Sequence, residues 1–224
     1  MDVLGIAISR ATGKSLGKVM EDYIFNPLGM SETGFEICVR QMSRMATLYR
    51  SEKDGSLTEI NEDRAAVPLK QNTVPGAEAN YWGGSVLFST PKDWLKFTDM
   101  LRRAFRGEKN LAAPPELVWR MASNQLKQDI ASLLPEGPEG FGEWMPFEGL
   151  GMGIGVWVTQ DPELLGWISN KGEFGWGGVA NTVFWVDPVT DSSVMFFTQV
   201  KPSRRLGLRF EFHRLAAQSV DQFD

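Results

Sequence analysis

Apolar residues recur at two incompatible spacings in this chain, and the switch from one to the other limits the fold more than any other feature. Up to about residue 121 they return every third or fourth position, the spacing of one helix face. Val3, Leu4, Ile6, Ala7 and Ile8 lie on nearly every side of a helical wheel, which predicts a buried helix over residues 2–12 ended by Gly13. Ser15 reads as the cap of a second helix, carried by Leu16, Val19, Met20, Tyr23 and Ile24 until Asn26-Pro27 stops it, with Phe25 to Phe35 as loop. Arg44 to Tyr49 is expected to be helical, and Asp54-Gly55 marks the turn of a polar hairpin or surface loop. Residues 61–80 show little periodicity. Ser89-Thr90-Pro91-Lys92-Asp93 is a strong helix start, with Thr90 as cap, Pro91 at the first helical position and Asp93 placed for a capping interaction. Trp94, Phe97, Leu101 and Phe105 then form one stripe closed by Gly107. Leu117, Val118 and Met121 predict a short helix, and 133–147 reads as loop, dense in Pro, Gly and Glu.

From Gly149 the spacing changes. Gly149-Leu150-Gly151-Met152-Gly153-Ile154-Gly155 alternates glycine with bulky apolar residues, so one face of a strand is bare and another group must approach it closely. Val156 to Thr159, Val179 to Val186 and Ser193 to Val200 complete a set of at least three strands, with Asp187-Pro188 and Thr190-Asp191 turning between the last two. A final helix is expected from about Ser203 to Val220. Leu206, Phe210, Ala217 and Val220 share one of its faces, and Leu208, Phe212 and Leu215 lie opposite. Helices, then an antiparallel meander, then a terminal helix is an α+β order, mainly helical over 1–147 and strands plus helix over 148–224.

Composition narrows the chemistry. With 42% hydrophobic and 23% charged residues the chain can bury a core, which argues against disorder and against a coiled coil. Lys and Arg total 23 against 28 Asp and Glu, so no overall field draws nucleic acid or anionic lipid. The lone Cys38 excludes an internal disulfide framework and a cysteine-built metal cluster, and fits a reducing compartment. With His213 the single histidine, a Ser-His-Asp triad would have to use it, and a zinc site would rest mostly on carboxylates. No apolar run approaches the ~18 to 20 residues of a membrane span, and no secretory signal opens the sequence. A soluble, cytoplasmic protein with neither nucleic-acid nor membrane partners is the expectation.

Ser15-Leu16-Gly17-Lys18 is a literal S-x-x-K, in which a desolvated lysine can activate a serine one turn away. The wheel places Lys18 opposite Leu16, Val19, Met20 and Tyr23, in solvent, so a capping serine and a surface lysine account for both residues. A working enzyme built on Ser15 and Lys18 is therefore set aside. His213 falls on the Leu206, Phe210 and Ala217 face, where a packed, hydrogen-bonded core histidine is expected. Gly83-Gly84-Ser85-Val86-Leu87 lacks the last glycine of a G-x-S-x-G elbow and reads as a tight turn, and Gly149 to Gly155 lacks the spacing of a dinucleotide loop. More informative is Gly172-Glu173-Phe174-Gly175-Trp176-Gly177-Gly178-Val179, just before the strand from Val179 to Pro188. Four glycines around two rings either expose backbone amides beside an apolar wall, which suits an acyl carbonyl, or merely let a loop pack under a ring.

Taken in order, several short motifs resemble the serine β-lactamase-like superfamily, near its class C branch, the family VIII carboxylesterases and the fungal transesterases of the lovastatin acyltransferase kind. They are Val3-Leu4-Gly5 with Thr12-Gly13-Lys14-Ser15, Phe25-Asn26-Pro27-Leu28-Gly29-Met30 with Thr33-Gly34-Phe35, Gly83-Gly84 with Ser89 to Trp94, Gly149-Leu150-Gly151, Trp176-Gly177-Gly178 and Val186-Asp187-Pro188. The resemblance implies a β-lactamase/transpeptidase-like α+β fold and a hydrolase or acyltransferase acting through a serine ester on a small ester or acyl substrate. It assigns Trp176-Gly177-Gly178 to the family's third motif, K-T-G in lactamases and often H-x-G or W-x-G in esterases. Trp176 and Gly177 would then bind substrate, and Gly178 and the oxyanion-donating amide of Val179 would serve catalysis. Trp in place of Lys favours an ester over a β-lactam, because a substrate carboxylate would lose its cationic partner. No metal or organic cofactor is implied. A role in fungal secondary metabolism rests on the likeness alone.

One departure is large. The family's S-x-x-K and Y-x-N or Y-x-S motifs precede the segment that Val3-Leu4-Gly5 matches, and Tyr49-Arg50-Ser51 is a coincidental Y-x-S past the expected place. The family's first helix and first two strands are also without counterpart, which would leave a three-strand sheet with an unpaired edge and an uncovered apolar face. The sequence thus reads as the C-terminal half or so of a hydrolase, truncated or split, inactive by itself, with a missing N-terminal half or partner chain. The alternative is a non-catalytic fragment that pairs with another chain.

Overall fold

The computed structural model describes residues 2–60, 87–109, 112–127, 130, 148–165, 167–202 and 206–220. Segments 61–80 and 133–147, the expected Gly83-Gly84 turn and residues 203–205 of the expected last helix lie outside the described residues. The chain divides into two units, one of residues 1–47 and 60–97 and one of 48–59 and 98–224.

In the first unit α1 (Asp2–Thr12) forms as its spacing predicts, and Gly13 leaves it at φ 65°. Its burial corrects the sequence reading: Gly5 is buried, whereas Val3 is 82% exposed and Leu4 and Ile6 are also open to solvent. A helical wheel reports where apolar side chains point, but burial needs a second element on each of those sides. α2 (Leu16–Met20) starts at Ser15, whose side chain accepts the Lys18 N–H at 3.2 Å. Asn26-Pro27 does not stop this helix. The helix widens through Glu21–Phe25, where the Asn26 N–H reaches back five residues to the Glu21 carbonyl. It then runs on through Asn26–Leu28 until Gly29 ends it at φ 66°. A proline ring collides with the carbonyl four residues back in a regular helix, and a wider turn ahead of Pro27 relieves that collision.

The next helix, α3 (Val39–Met42), precedes the Arg44–Tyr49 segment expected to be helical, and Gln41 Oε1 fixes its start by accepting the Cys38 N–H at 2.7 Å. Tyr49 opens a strand instead, β1 (Tyr49–Ser51), in the second unit. β2 (Leu57–Glu59) pairs with it around the expected Asp54-Gly55 turn, where Asp54 accepts the Ser56 N–H at 2.9 Å. α4 (Pro91–Phe105) begins as read, with the Asp93 N–H donating to Thr90 Oγ1 at 3.2 Å. The Asp93 carboxylate turns away from that cap. It accepts the Glu32 N–H at 2.7 Å and the Thr33 hydroxyl at 3.1 Å, so it ties the loop after Gly29 to the helix start. From Thr98 onward α4 belongs to the second unit and buries Met100, Leu101 and Ala104. α5 (Pro115–Met121) is the short helix read from Leu117, Val118 and Met121.

The sheet is larger than expected. β3 (Leu150–Met152), β4 (Trp157–Thr159), β5 (Phe174–Gly177), β6 (Val183–Asp187) and β7 (Ser192–Phe196) form one antiparallel meander of 5 strands in chain order. β8 (Val200–Lys201) runs parallel to β1, so the expected strand Ser193 to Val200 is shared between two sheets. Phe174–Gly177, whose glycines read either as a strand edge or as a loop packed under a ring, is a strand, and Val179–Thr182, read as strand, is the reversal after it. The register pairs Gly177 with Val183, and Asn181 sits at φ 68°, a left-handed backbone that Asn tolerates and that ends any extended run. The bare face predicted at Gly151 and Gly153 is filled. Asn124 Oδ1 lies 2.6 Å from where a Gly151 Cβ would stand, and the Met121 carbonyl backs Gly153.

Leu150, Trp157, Leu165, Val183 and Trp185 form the buried centre of this unit, and α6 (Leu208–Val220) covers it with Phe212 and Ala216. Phe212 stacks on Phe196 with ring centroids 4.6 Å apart. The buried sector of α6 lies between the two faces assigned from sequence: His213 is buried as expected, but Phe212 turns inward, and Phe210 and Leu215 are exposed. Neighbouring residues on a helix are about 100° apart, so a sector centred between 212 and 213 takes one from each face. Among the described residues no helix is long and apolar enough to cross a membrane.

Candidate functional site

The four residues singled out in the glycine-rich segment stand together where β5 runs into its turn. Strand pairing of β5 with β6 places Trp176 opposite Phe184. Phe174 and Trp176 are two residues apart and so share one face of the strand; Phe174 is buried, whereas Trp176, nearer the strand end, is 42% exposed, its ring 6.3 Å from the buried Trp157 ring. The Gly178 N–H donates to the Thr182 carbonyl at 2.8 Å, and the Gly178 carbonyl accepts the Asn181 N–H at 3.1 Å. These two bonds close the turn and commit the Gly178 amide. The Val179 N–H, one residue on, donates to no acceptor among the described residues, and Val179 is 49% exposed. An unengaged amide at a strand end beside a half-exposed indole is what a developing oxyanion requires: a fixed donor with an apolar wall next to it.

The turn is held from behind by a residue that the sequence reading passed over. Arg209, in the first turn of α6, reaches the back of the turn with its guanidinium. Its Nε donates to Asn181 Oδ1 at 3.0 Å, and its Nη2 donates to the Thr182 carbonyl at 3.2 Å and to the Gly178 carbonyl. Gly177 makes room for it, since a Cβ there would lie 2.6 Å from Nη1. Burial pushes the guanidinium down to about 10, with no carboxylate offsetting it. Arg209 lies four residues before His213 and so on the same helix face. That spacing was legible, but its partners across the sheet are not visible without the register.

Immediately before β5, Glu173 Oε1 meets His213 Nε2 at 3.1 Å, and both side chains are buried. The His213 ring stacks on Trp185 with centroids 4.4 Å apart. Burial pushes the Glu173 carboxyl up, and the bond from His213 opposes that only in part. The histidine is thus a packed, hydrogen-bonded core residue. Ser15 and Lys18 are also placed as the wheel requires. The serine oxygen caps α2, and the exposed ammonium pairs with Asp22 at 2.8 Å and Glu21 at 3.3 Å, which raises it from the ordinary lysine value. A lysine held charged cannot act as the base for a neighbouring serine. Among the described residues no group of three or more His, Cys, Asp or Glu is placed to hold a metal ion.

Comparison with known proteins places the chain in a family. The family model described as Beta-lactamase matches residues 1–218, and the chain belongs to that family. Among curated relatives, Protein Rv1367c of Mycobacterium tuberculosis is 29% identical over 208 residues, which are 90% of this chain and 48% of that protein. Esterase EstB of Burkholderia gladioli is 27% identical, over 88% of this chain and 47% of the esterase. Monacolin J acid methylbutanoyltransferase of Aspergillus terreus is 26% identical, over 90% of this chain and 48% of the enzyme. The structure of a simvastatin synthase mutant from Aspergillus terreus superposes with a TM-score of 0.77 at 23% identity, over 99% of this chain and 54% of that one. The fold is therefore of the β-lactamase/transpeptidase type, helices followed by an antiparallel sheet and a C-terminal helix. The chain spans about half the length of the curated relatives it matches.

Proposed function

We propose that this chain carries the carbonyl-binding side of a serine-ester site in a β-lactamase-related esterase or transesterase. Trp176 and Gly177 line the acyl group, and the Val179 amide, positioned by Gly178, receives the oxyanion. The single observation that supports this is the Val179 N–H, just past the end of β5 in a half-exposed residue and without an acceptor among the described residues; the resemblance assigns the preceding Trp176-Gly177-Gly178 to the family's third motif. The names of two relatives, an esterase and an acyltransferase, favour the same chemistry for the whole protein. The serine, lysine and tyrosine of that chemistry come from residues outside these 224, on the same polypeptide or on a partner. The substrate is a small ester or acyl donor, and the lone Cys38 favours a cytoplasmic setting.

The test is treatment of the folded chain with a serine-directed fluorophosphonate, followed by intact-mass analysis and peptide mapping. The expected result is no adduct at Ser15. A stoichiometric Ser15 adduct would make the chain a hydrolase in its own right and displace this reading. In parallel, titration of the 15N-labelled chain with butyrate, whose carboxylate mimics an oxyanion beside a short acyl tail, should shift the Val179 amide resonance. A Val179 resonance that stays fixed while the folded spectrum is otherwise intact overturns the oxyanion assignment.

A further inference from the structure

The Gly178 carbonyl and the Val179 N–H belong to one peptide group. The N–H has no acceptor among the described residues, and the oxygen of the same group accepts from Arg209 Nη2. We infer that Arg209 is a positioning residue that polarises the Gly178–Val179 peptide from behind and so strengthens the Val179 amide as an oxyanion donor. The inference rests on the function proposed above for Val179, and it names the group that tunes that function.

Three features support it. First, among the described residues the cation is spent on the turn: Arg209 donates to Asn181 Oδ1, the Thr182 carbonyl and the Gly178 carbonyl. Those are neutral acceptors, and among the described residues no carboxylate pairs with the guanidinium, so its field acts on the peptide groups. Second, the approach is built into the strand. Only a residue without Cβ at 177 lets the guanidinium come this close, since a Cβ there would lie 2.6 Å from Nη1. Third, the turn cannot rotate the peptide away. The Gly178 N–H is fixed on the Thr182 carbonyl at 2.8 Å, and Thr198 Oγ1 donates to the Asn181 carbonyl at 3.2 Å. A hydrogen bond to a peptide oxygen withdraws electron density from its N–H, and bonds chained through one peptide group reinforce each other.

Amide hydrogen exchange reads this directly. Base-catalysed exchange removes the Val179 proton and leaves an imidate whose negative charge resides largely on the Gly178 oxygen, beside Arg209. The guanidinium therefore accelerates exchange at Val179. In Arg209→Met the Val179 exchange rate, measured by 15N–1H spectroscopy between pH 6 and 8, should fall about tenfold relative to wild type. Arg209→Lys, which keeps a charge but not the fork, should fall between the two. A role in merely holding the turn gives the opposite sign, because a loosened turn exposes amides and speeds their exchange. Gly177→Ala, which pushes the guanidinium back without removing it, is the second variant should Arg209→Met fail to fold, and it too should slow Val179 exchange. An unchanged or faster Val179 rate in a folded variant overturns the inference. The two claims fail separately: slowed exchange with no response of Val179 to butyrate leaves Arg209 as a polarising group and removes the oxyanion reading instead.

Discussion

Replacing Glu173 by Gln isolates a deeply buried carboxyl whose ordinary charge the core opposes. Glu173 is 2% exposed and meets His213 at 3.1 Å, and burial pushes its carboxyl above the usual value of 4.5. The folded chain then holds this proton more tightly than the unfolded chain does. Its stabilising contribution is complete below pH 4.5 and is lost as the pH rises through the raised folded-state value. Gln has nearly the same shape, keeps an acceptor for His213 and does not titrate. Because one proton is involved, the stability difference between wild type and Glu173→Gln changes by no more than about 1.4 kcal/mol per pH unit. Urea unfolding of both chains at half-unit steps from pH 4 to 8, with the m-value checked for constancy, measures it. Wild type should be best placed against the variant near pH 4 and should lose ground steadily above it. A flat difference would refute a neutral buried carboxyl. A difference moving toward wild type with rising pH would show instead that Glu173 is held charged against a protonated His213.

Other substitutions test other links. Asp93→Ala leaves the Glu32 N–H without its acceptor and takes one of two partners from the Thr33 hydroxyl and from Lys96, which keep Ser89 and the Gly29 carbonyl, and should cost about 2 to 4 kcal/mol in chemical denaturation, since bonds to a charged group contribute roughly 1.5 to 3 kcal/mol each and are not additive. Ser15→Ala should cost about 1 kcal/mol through the lost cap of α2, while Lys18→Met should leave any esterase activity of the folded chain unchanged. Gly175→Ala drives a Cβ into the Phe184 carbonyl and the Trp157 ring and should lower stability by about 1 to 3 kcal/mol, read as a shifted urea midpoint.

How much of this was legible depended on whether the cause was local. The start of α4 is written in Thr90 and Pro91, the β1–β2 turn in Asp54-Gly55, and the close approaches at Gly151 and Gly153 in the absence of side chains. The dismissal of Ser15 and Lys18 needed only a helical wheel. The errors share another origin. Pro27 stays inside a helix because the backbone widens before it, an adjustment with no residue signature. Val179 looks like strand by propensity and lies in a turn because Asn181 reverses the chain and β5 and β6 fix the register. The exposure of Val3 on α1 depends on what packs there, which periodicity does not report.

The candidate site divides along the same line. Its face was readable because the order Trp-Gly-Gly-Val is contiguous and glycine leaves amides bare. Its support was not, because Arg209 lies 30 residues beyond Val179 in sequence and holds the turn through two backbone carbonyls, which any sequence supplies, and one side-chain oxygen, Asn181 Oδ1. That asymmetry explains why Gly177 is ambiguous when read alone. It serves the front of the site by leaving the strand edge bare and the back by admitting a guanidinium, and these two roles predict different outcomes for Gly177→Ala. If openness at the front is what matters, acyl binding falls and Val179 exchange is untouched; if room for Arg209 is what matters, exchange slows as well. Measuring both on one variant separates a glycine that faces a ligand from a glycine that faces a cation.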